Sequence, residues 1–192
     1  MADSRIRTLI LMGIFAALAY VAMYFIRIPV FGFLTFEPKD AVIGIAAFIL
    51  GPLPAMVIAV IVAALEMQIS GTGLIGFGMN VASTIAFVGV ASLIYHRNRS
   101  LGGALIGLIA GGLCATVLML FLNYLITPLY MGRPRSEVVK LLVPVLLPFN
   151  LAKALVNGTL IIALYKPVMR ALSAIGVGEY ALTTEESASK PL

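Results

Sequence analysis

Three polar side chains in an apolar stretch carry much of the chemistry this sequence offers. In Pro148-Phe149-Asn150-Leu151-Ala152-Lys153-Ala154-Leu155-Val156-Asn157, the residues Asn150, Lys153 and Asn157 recur at spacings of three and four. A helix would project all three from one face. Carboxamides both donate and accept hydrogen bonds, whereas an ammonium only donates. Asp40, Asn80 and Asn123 add a carboxylate and two more amides in other apolar runs. Such a set suits ring imides, amides and hydroxyls, with Lys153 donating to a ligand carbonyl or pairing with Asp40. It does not contain a nucleophile with its base, a metal cluster or paired catalytic carboxylates, so catalytic and metal-binding residues are expected to be none, with no resident cofactor. The single His96 has no second ligand at suitable spacing, and the single Cys114 excludes an intrachain disulfide.

A lysine and several amides within hydrocarbon are costly unless they face a polar cavity or one another, and hydrocarbon is where the rest of the chain belongs. Of 192 residues, 61% are hydrophobic and only 11% are charged, against about one quarter charged in soluble domains. Apolar runs of about 20 residues recur, long enough to cross a core of roughly 30 Å. They are continuous rather than alternating, which excludes a strand barrel. The expected fold is an all-α integral membrane protein, a six-transmembrane-helix bundle over residues 1–175 with a polar C-terminal tail over 176–192. The net charge of +5 sits mostly at segment ends, which suits a lipid bilayer and not nucleic acid. The first run follows Arg5 and Arg7 without a clear signal-peptidase site and is expected to be retained.

The six helices are expected at about Ile6–Phe25, from Pro38 or Lys39 to Leu50, Ala55–Ile69, Asn80–Tyr95, Gly103–Ile126 and from Pro144 or Pro148 to Leu172. Between the first two, Arg27 to Asp40 contains two prolines, a glycine and β-branched and aromatic residues, which predicts an extended loop or hairpin. Its phenylalanines at 31, 33 and 36 fit two roles, stacking on a flat ligand or anchoring at the interface. Ser70 to Gly78 reads as a glycine-rich surface loop, without the Gly-Lys-Ser/Thr of a phosphate loop. Met131 to Lys140 reads as a charged loop. Asn80, at the start of its helix, shares a face with Ser83 and Thr84, and an amide in that place also fits a helix cap. Glu66 near the end of the third helix is either an interfacial or lysine-paired carboxylate or a cavity-lining one. Gly13 and Ala17 lie one turn apart on the first helix with Ala16 beside them, small enough to let another helix approach.

This topology places both termini on one side. Arg5, Arg7, Arg97, Arg99, Lys166 and Arg170 fall there, against Arg27, Lys39, Arg133, Arg135 and Lys140 opposite. The excess of one puts both termini in the cytoplasm of a multi-pass cell-membrane protein. Asp40, Asn80, Asn123, Asn150 and Lys153 then all fall at the outer ends of their helices, beside the same three loops. That convergence predicts an outer binding mouth for a flat aromatic ligand with polar edges and hydroxyls. Asn157 lies deeper and is assigned to a helix–helix contact instead.

Several segments resemble the substrate-binding S components of energy-coupling factor (ECF) transporters, and within them the riboflavin-binding kind. They are Phe33-Leu-Thr-Phe-Glu-Pro-Lys-Asp40, Phe48-Ile-Leu-Gly-Pro52, Gly78-Met-Asn80, Leu122-Asn-Tyr124 with Thr127-Pro-Leu-Tyr130, and Pro148-Phe-Asn-Leu-Ala-Lys153. They occur in order and span roughly residues 8–172. The resemblance implies vitamin capture near the outer face, with Asp40, Asn80, Asn123, Asn150 and Lys153 contacting riboflavin. It implies a membrane T component and two cytoplasmic ATPase subunits as partners; this chain itself has no nucleotide-binding motif with which to couple ATP to uptake. The family's pair of alanines four apart on the first helix, which meets the T component, corresponds here to Gly13 with Ala17, flanked by Ala16. Flavin mononucleotide is a further ligand that Arg133 and Arg135 would suit. Other expectations held beside this one are an S component for another vitamin, such as thiamin or biotin, and an intramembrane enzyme acting on lipid or isoprenoid, for which Glu66 and Asp40 are the only candidate catalytic acids among the eight acidic residues.

Overall fold

Hydrocarbon cannot hydrogen-bond a peptide group, so an apolar chain must satisfy its backbone internally. In the computed structural model, which describes residues 2–32, 34–71, 73–132 and 134–174, it does so almost wholly as helix. The order is α1 (Ala2–Phe25), a hairpin of β1 (Ile28–Phe31) and β2 (Leu34–Phe36), α2 (Lys39–Leu50), α3 (Pro52–Ser70), α4 (Gly73–Arg97), α5 (Leu101–Met131) and α6 (Arg135–Ala174). All but α2 are long and apolar enough to cross a membrane. The polar tail expected over 176–192 lies outside the described residues, as do Phe33 and Arg133.

The short helix is the centre of the bundle. α2 has 12 residues, about 18 Å at 1.5 Å each, and ten of them are buried against α1, α3, α4 and α6. Gly51, at φ +97°, and Pro52 at the first turn of α3 turn the chain at its C-terminal end. α4 and α5 pack closest where α5 carries no side chain. A Cβ on Gly107 would meet Ala91 O at 2.6 Å, and one on Gly111 would meet Phe87 O at 2.2 Å. Ser100 caps α5, its hydroxyl accepting from Gly103 N at 3.0 Å.

Two expected loops are mostly helix. In the glycine-rich stretch from Ser70 to Gly78, α3 ends at Ser70, Gly71 turns the chain and α4 already begins at Gly73. Glycines at 76 and 78 each disfavour helix by roughly 1 kcal/mol, but an unpaired peptide group in hydrocarbon costs more. Likewise α5 continues through Pro128 to Met131, and α6 starts at Arg135, before the expected Pro144 or Pro148. Pro144, which has no N–H to donate, sits in a π-helical turn over Leu142–Leu146, where Leu147 N reaches back five residues to Leu142 O. A second π-helical turn, Ile85–Gly89, lies within α4. The hairpin forms as expected, with Ile28 opposite Phe36 and Phe31 opposite Leu34 around Gly32, whose φ is +51°.

Candidate functional site

One cavity of about 120 Å³ opens where the hairpin, the end of α3, the start of α4, the second half of α5 and the middle of α6 meet. This is the end of the bundle opposite the start of α1 and the end of α6. Asn80 of α4, Asn123 of α5, and Asn150 and Lys153 of α6 all line it. Their helical registers bring them there. Asn150 and Lys153 are three apart on α6, and Met119 and Asn123, both lining, are four apart on α5. The apolar part of the wall comes from Leu34, Ile75, Met79, Met119 and Phe149.

The amides are braced by their own helices. Asn123 Nδ2 donates to Met119 O at 2.7 Å and its Oδ1 accepts from Thr127 at 2.8 Å. Asn150 Nδ2 donates to Leu146 O at 2.8 Å. These bonds fix each side chain's rotamer. The second N–H of each amide, and the Oδ1 of Asn150, are hydrogen-bonding capacity beyond them. Asn80 differs from the expected cap. It sits in the second turn of α4 rather than at its start, and its Nδ2 donates to Glu66 Oε1 at 2.7 Å.

Asp40 is placed behind the cavity rather than in its wall. It is 2% exposed and pairs with Lys153 Nζ at 3.0 Å, while accepting from Thr84 Oγ1 at 2.7 Å. A lone charge at this depth is expensive, and pairing with full hydrogen bonding offsets much of that. Lys153 therefore faces two ways, with one donor on Asp40 and the rest of the ammonium toward the cavity. Asn157, fully buried, bonds between helices as assigned: its Oδ1 accepts from Ala41 N at 3.1 Å and its Nδ2 donates to Lys153 O at 3.0 Å. Ala41 N–H, in the first turn of α2, is shared between Asn157 and Pro38 O, the latter also at 3.1 Å.

A second network was legible in the sequence only as isolated charges. Lys39, 1% exposed, contacts Glu66 Oε2 and lies 2.9 Å from Glu37 Oε2, whose other oxygen is 3.2 Å from Arg27 Nε. Arg27, Glu37 and Glu66 line the cavity. The two readings of Glu66, lysine-paired or cavity-lining, hold together. The available signal was a carboxylate within α3 and alternating charge at Arg27, Glu37 and Lys39; pairing across 27 residues is not written in either. Of the phenylalanines, Phe31 is exposed and Phe36 half-buried, and neither lines the cavity, whereas Phe149 does.

On α1, Gly13 and Ala17 are exposed, and a Cβ on Gly13 would meet nothing within 4 Å. Ala16 departs from that face. It is 7% exposed and belongs to the apolar core, because the 100° step of a helix turns it inward from Ala17.

Residues 7–165 match the family described as ECF transporter, substrate-specific component. The chain is similar to the riboflavin transporter RibU of Staphylococcus aureus (strain TCH60), with 26% identity over 178 residues, covering 88% of this chain and 94% of that one. Among solved structures it is similar to the S component of a bacterial ECF transporter, with a TM-score of 0.75 and 27% identity, covering 88% of this chain and 98% of that one. The matched family is one of transporter components rather than enzymes.

Proposed function

This chain belongs to the ECF transporter substrate-specific component family, and from that premise we propose that it captures riboflavin at the outer face of the cell membrane for an ECF-type uptake transporter. The observation that carries the reading is the convergence of Asn80, Asn123, Asn150 and Lys153 on one cavity beside Phe149 and two methionines. Three amides and an ammonium supply donors and acceptors for the polar edge of a flavin and for its hydroxyls. The apolar wall takes the flat ring system. Asp40 acts through Lys153, holding the ammonium in place. The similarity to a riboflavin transporter supports the choice of vitamin. The flavin is cargo, not a resident cofactor.

The proposed partners are a membrane T component and two cytoplasmic ATPase subunits, with both termini cytoplasmic. The open small-residue face at Gly13 and Ala17 is the proposed contact with the T component, and Ala16 supports that helix from within the bundle.

The deciding experiment is a titration of detergent-purified protein with riboflavin, followed by flavin absorbance and fluorescence quenching. Saturable quenching at one equivalent is expected. Protein that leaves flavin fluorescence unchanged while binding thiamin or biotin would overturn the choice of vitamin. Flavin mononucleotide in the same assay decides whether Arg135, whose guanidinium lies over the Tyr124 ring at 5.3 Å, extends the ligand range to a phosphate ester.

A further inference from the structure

Glu66 is a buried carboxylate in the cavity wall, and both its oxygens are engaged. Oε2 is held by Lys39, and Oε1 accepts from Asn80 Nδ2 at 2.7 Å. Lys39 is itself fixed from the other side by Glu37 at 2.9 Å. A carboxylate paired with an ammonium only accepts, and a carboxamide has one accepting and one donating end. The Asn80 amide therefore has one permitted orientation, because a flip would set Oδ1 against Oε1, two acceptors with no proton between them. Its Nδ2 end is committed to α3, and its Oδ1 end is the one left to face the cavity that Asn80 lines.

We propose that Glu66 sets the hydrogen-bond polarity of this wall. By fixing Asn80 as an acceptor toward the cavity, it makes the site select a ligand with an obligate N–H donor there, of the kind an imide provides. This rests on the flavin reading for the identity of the ligand, but not for the orientation of Asn80. A ligand hydroxyl rotates to suit either end of an amide, whereas an imide N–H only donates. The carbonyls that flank an imide fit the donors on the same cavity, Lys153 and the amide N–H groups.

Glu66→Gln tests the proposal at constant shape. Lys39 still requires an acceptor, so the new amide keeps its oxygen toward Lys39 and turns its NH2 toward Asn80. Asn80 then answers with Oδ1 and presents N–H to the cavity, reversing the polarity. The probes are riboflavin and 3-methylriboflavin, in which a methyl replaces the imide proton. The parent should prefer riboflavin. In Glu66→Gln, riboflavin affinity should fall about tenfold or more, while that of the methylated probe changes by less than about threefold, so the preference narrows. Asn80→Ala should narrow it in the same way without disturbing any ion pair, which keeps the test decisive if Glu66→Gln folds poorly. Either variant retaining the parent's preference would overturn the proposal. Should the parent bind neither flavin, the flavin reading fails, and a ligand-free cycle still judges the orientation. Melting temperatures of Glu66→Ala, Asn80→Ala and the double variant are expected to be non-additive, and additivity would overturn the proposal.

Discussion

Lys153 does two jobs that mutation can separate. Its ammonium donates to Asp40 at 3.0 Å and also lines the cavity. Lys153→Ala is expected to weaken riboflavin binding by roughly 1–3 kcal/mol. It also leaves Asp40 buried with Thr84 as its remaining hydrogen-bond partner, an uncompensated charge worth about 3–5 kcal/mol of destabilisation. Adding Asp40→Asn removes that charge, so the double variant should regain melting temperature without regaining affinity. A double variant no more stable than Lys153→Ala would show that Asp40 is not held by Lys153. Asn150→Ala should behave differently. Its amide bonds only to a carbonyl of its own helix, so affinity falls by about 1–2 kcal/mol while stability barely moves. Fluorescence titration and thermal unfolding in detergent read both quantities. At this scale the sequence was informative because amides and a lysine stand out in apolar runs. Asp40 behind Lys153, and Lys39 joined to Glu66, follow from tertiary approach between α2, α3 and α6, and no local spacing encodes that.

The helices were legible from the length of their apolar runs, and their ends were not. Glycine and proline usually mark loops, yet α4 starts at Gly73 and α5 runs through Pro128. In hydrocarbon the demand to pair every peptide group outweighs residue preference. The same demand explains the π-helical turn at Leu142–Leu146, where the chain absorbs Pro144 by widening rather than by stopping. The glycines of α5 serve packing instead. Gly111→Ala would place a Cβ 2.2 Å from Phe87 O, so α4 and α5 must part. A loss of about 1–3 kcal/mol is expected, read as a lower melting temperature. Gly13→Ala, whose Cβ meets nothing within 4 Å, is the control and should unfold at the parent's temperature or somewhat above it, since Ala favours helix over Gly. Equal melting temperatures for the two would mean that α4 and α5 are not in contact at Gly111.

The whole molecule has a polar end and an open flank, and the proposed function gives them different steps of transport. The cavity is built at one end, from the end of α3, the start of α4, the second half of α5, the middle of α6 and the hairpin. The face of α1 that carries Gly13 and Ala17 is directed away from the core, which it reaches instead through Leu11, Phe15, Ala16 and Ala19. A small-residue face gives no lipid-packing advantage by itself, but it lets a second helix come close. Enlarging it should therefore spare capture and block coupling. Gly13→Leu together with Ala17→Leu fills the face without touching any cavity residue. Riboflavin titration of the isolated chain should match the parent. Co-purification with the T component and the ATPase subunits should be lost, and with it ATP-driven uptake into proteoliposomes. Uptake at the parent's rate would remove α1 from the proposed partner interface. Loss of binding in the isolated chain would instead mean that the flank and the cavity are mechanically joined through α1 and its packing on α2.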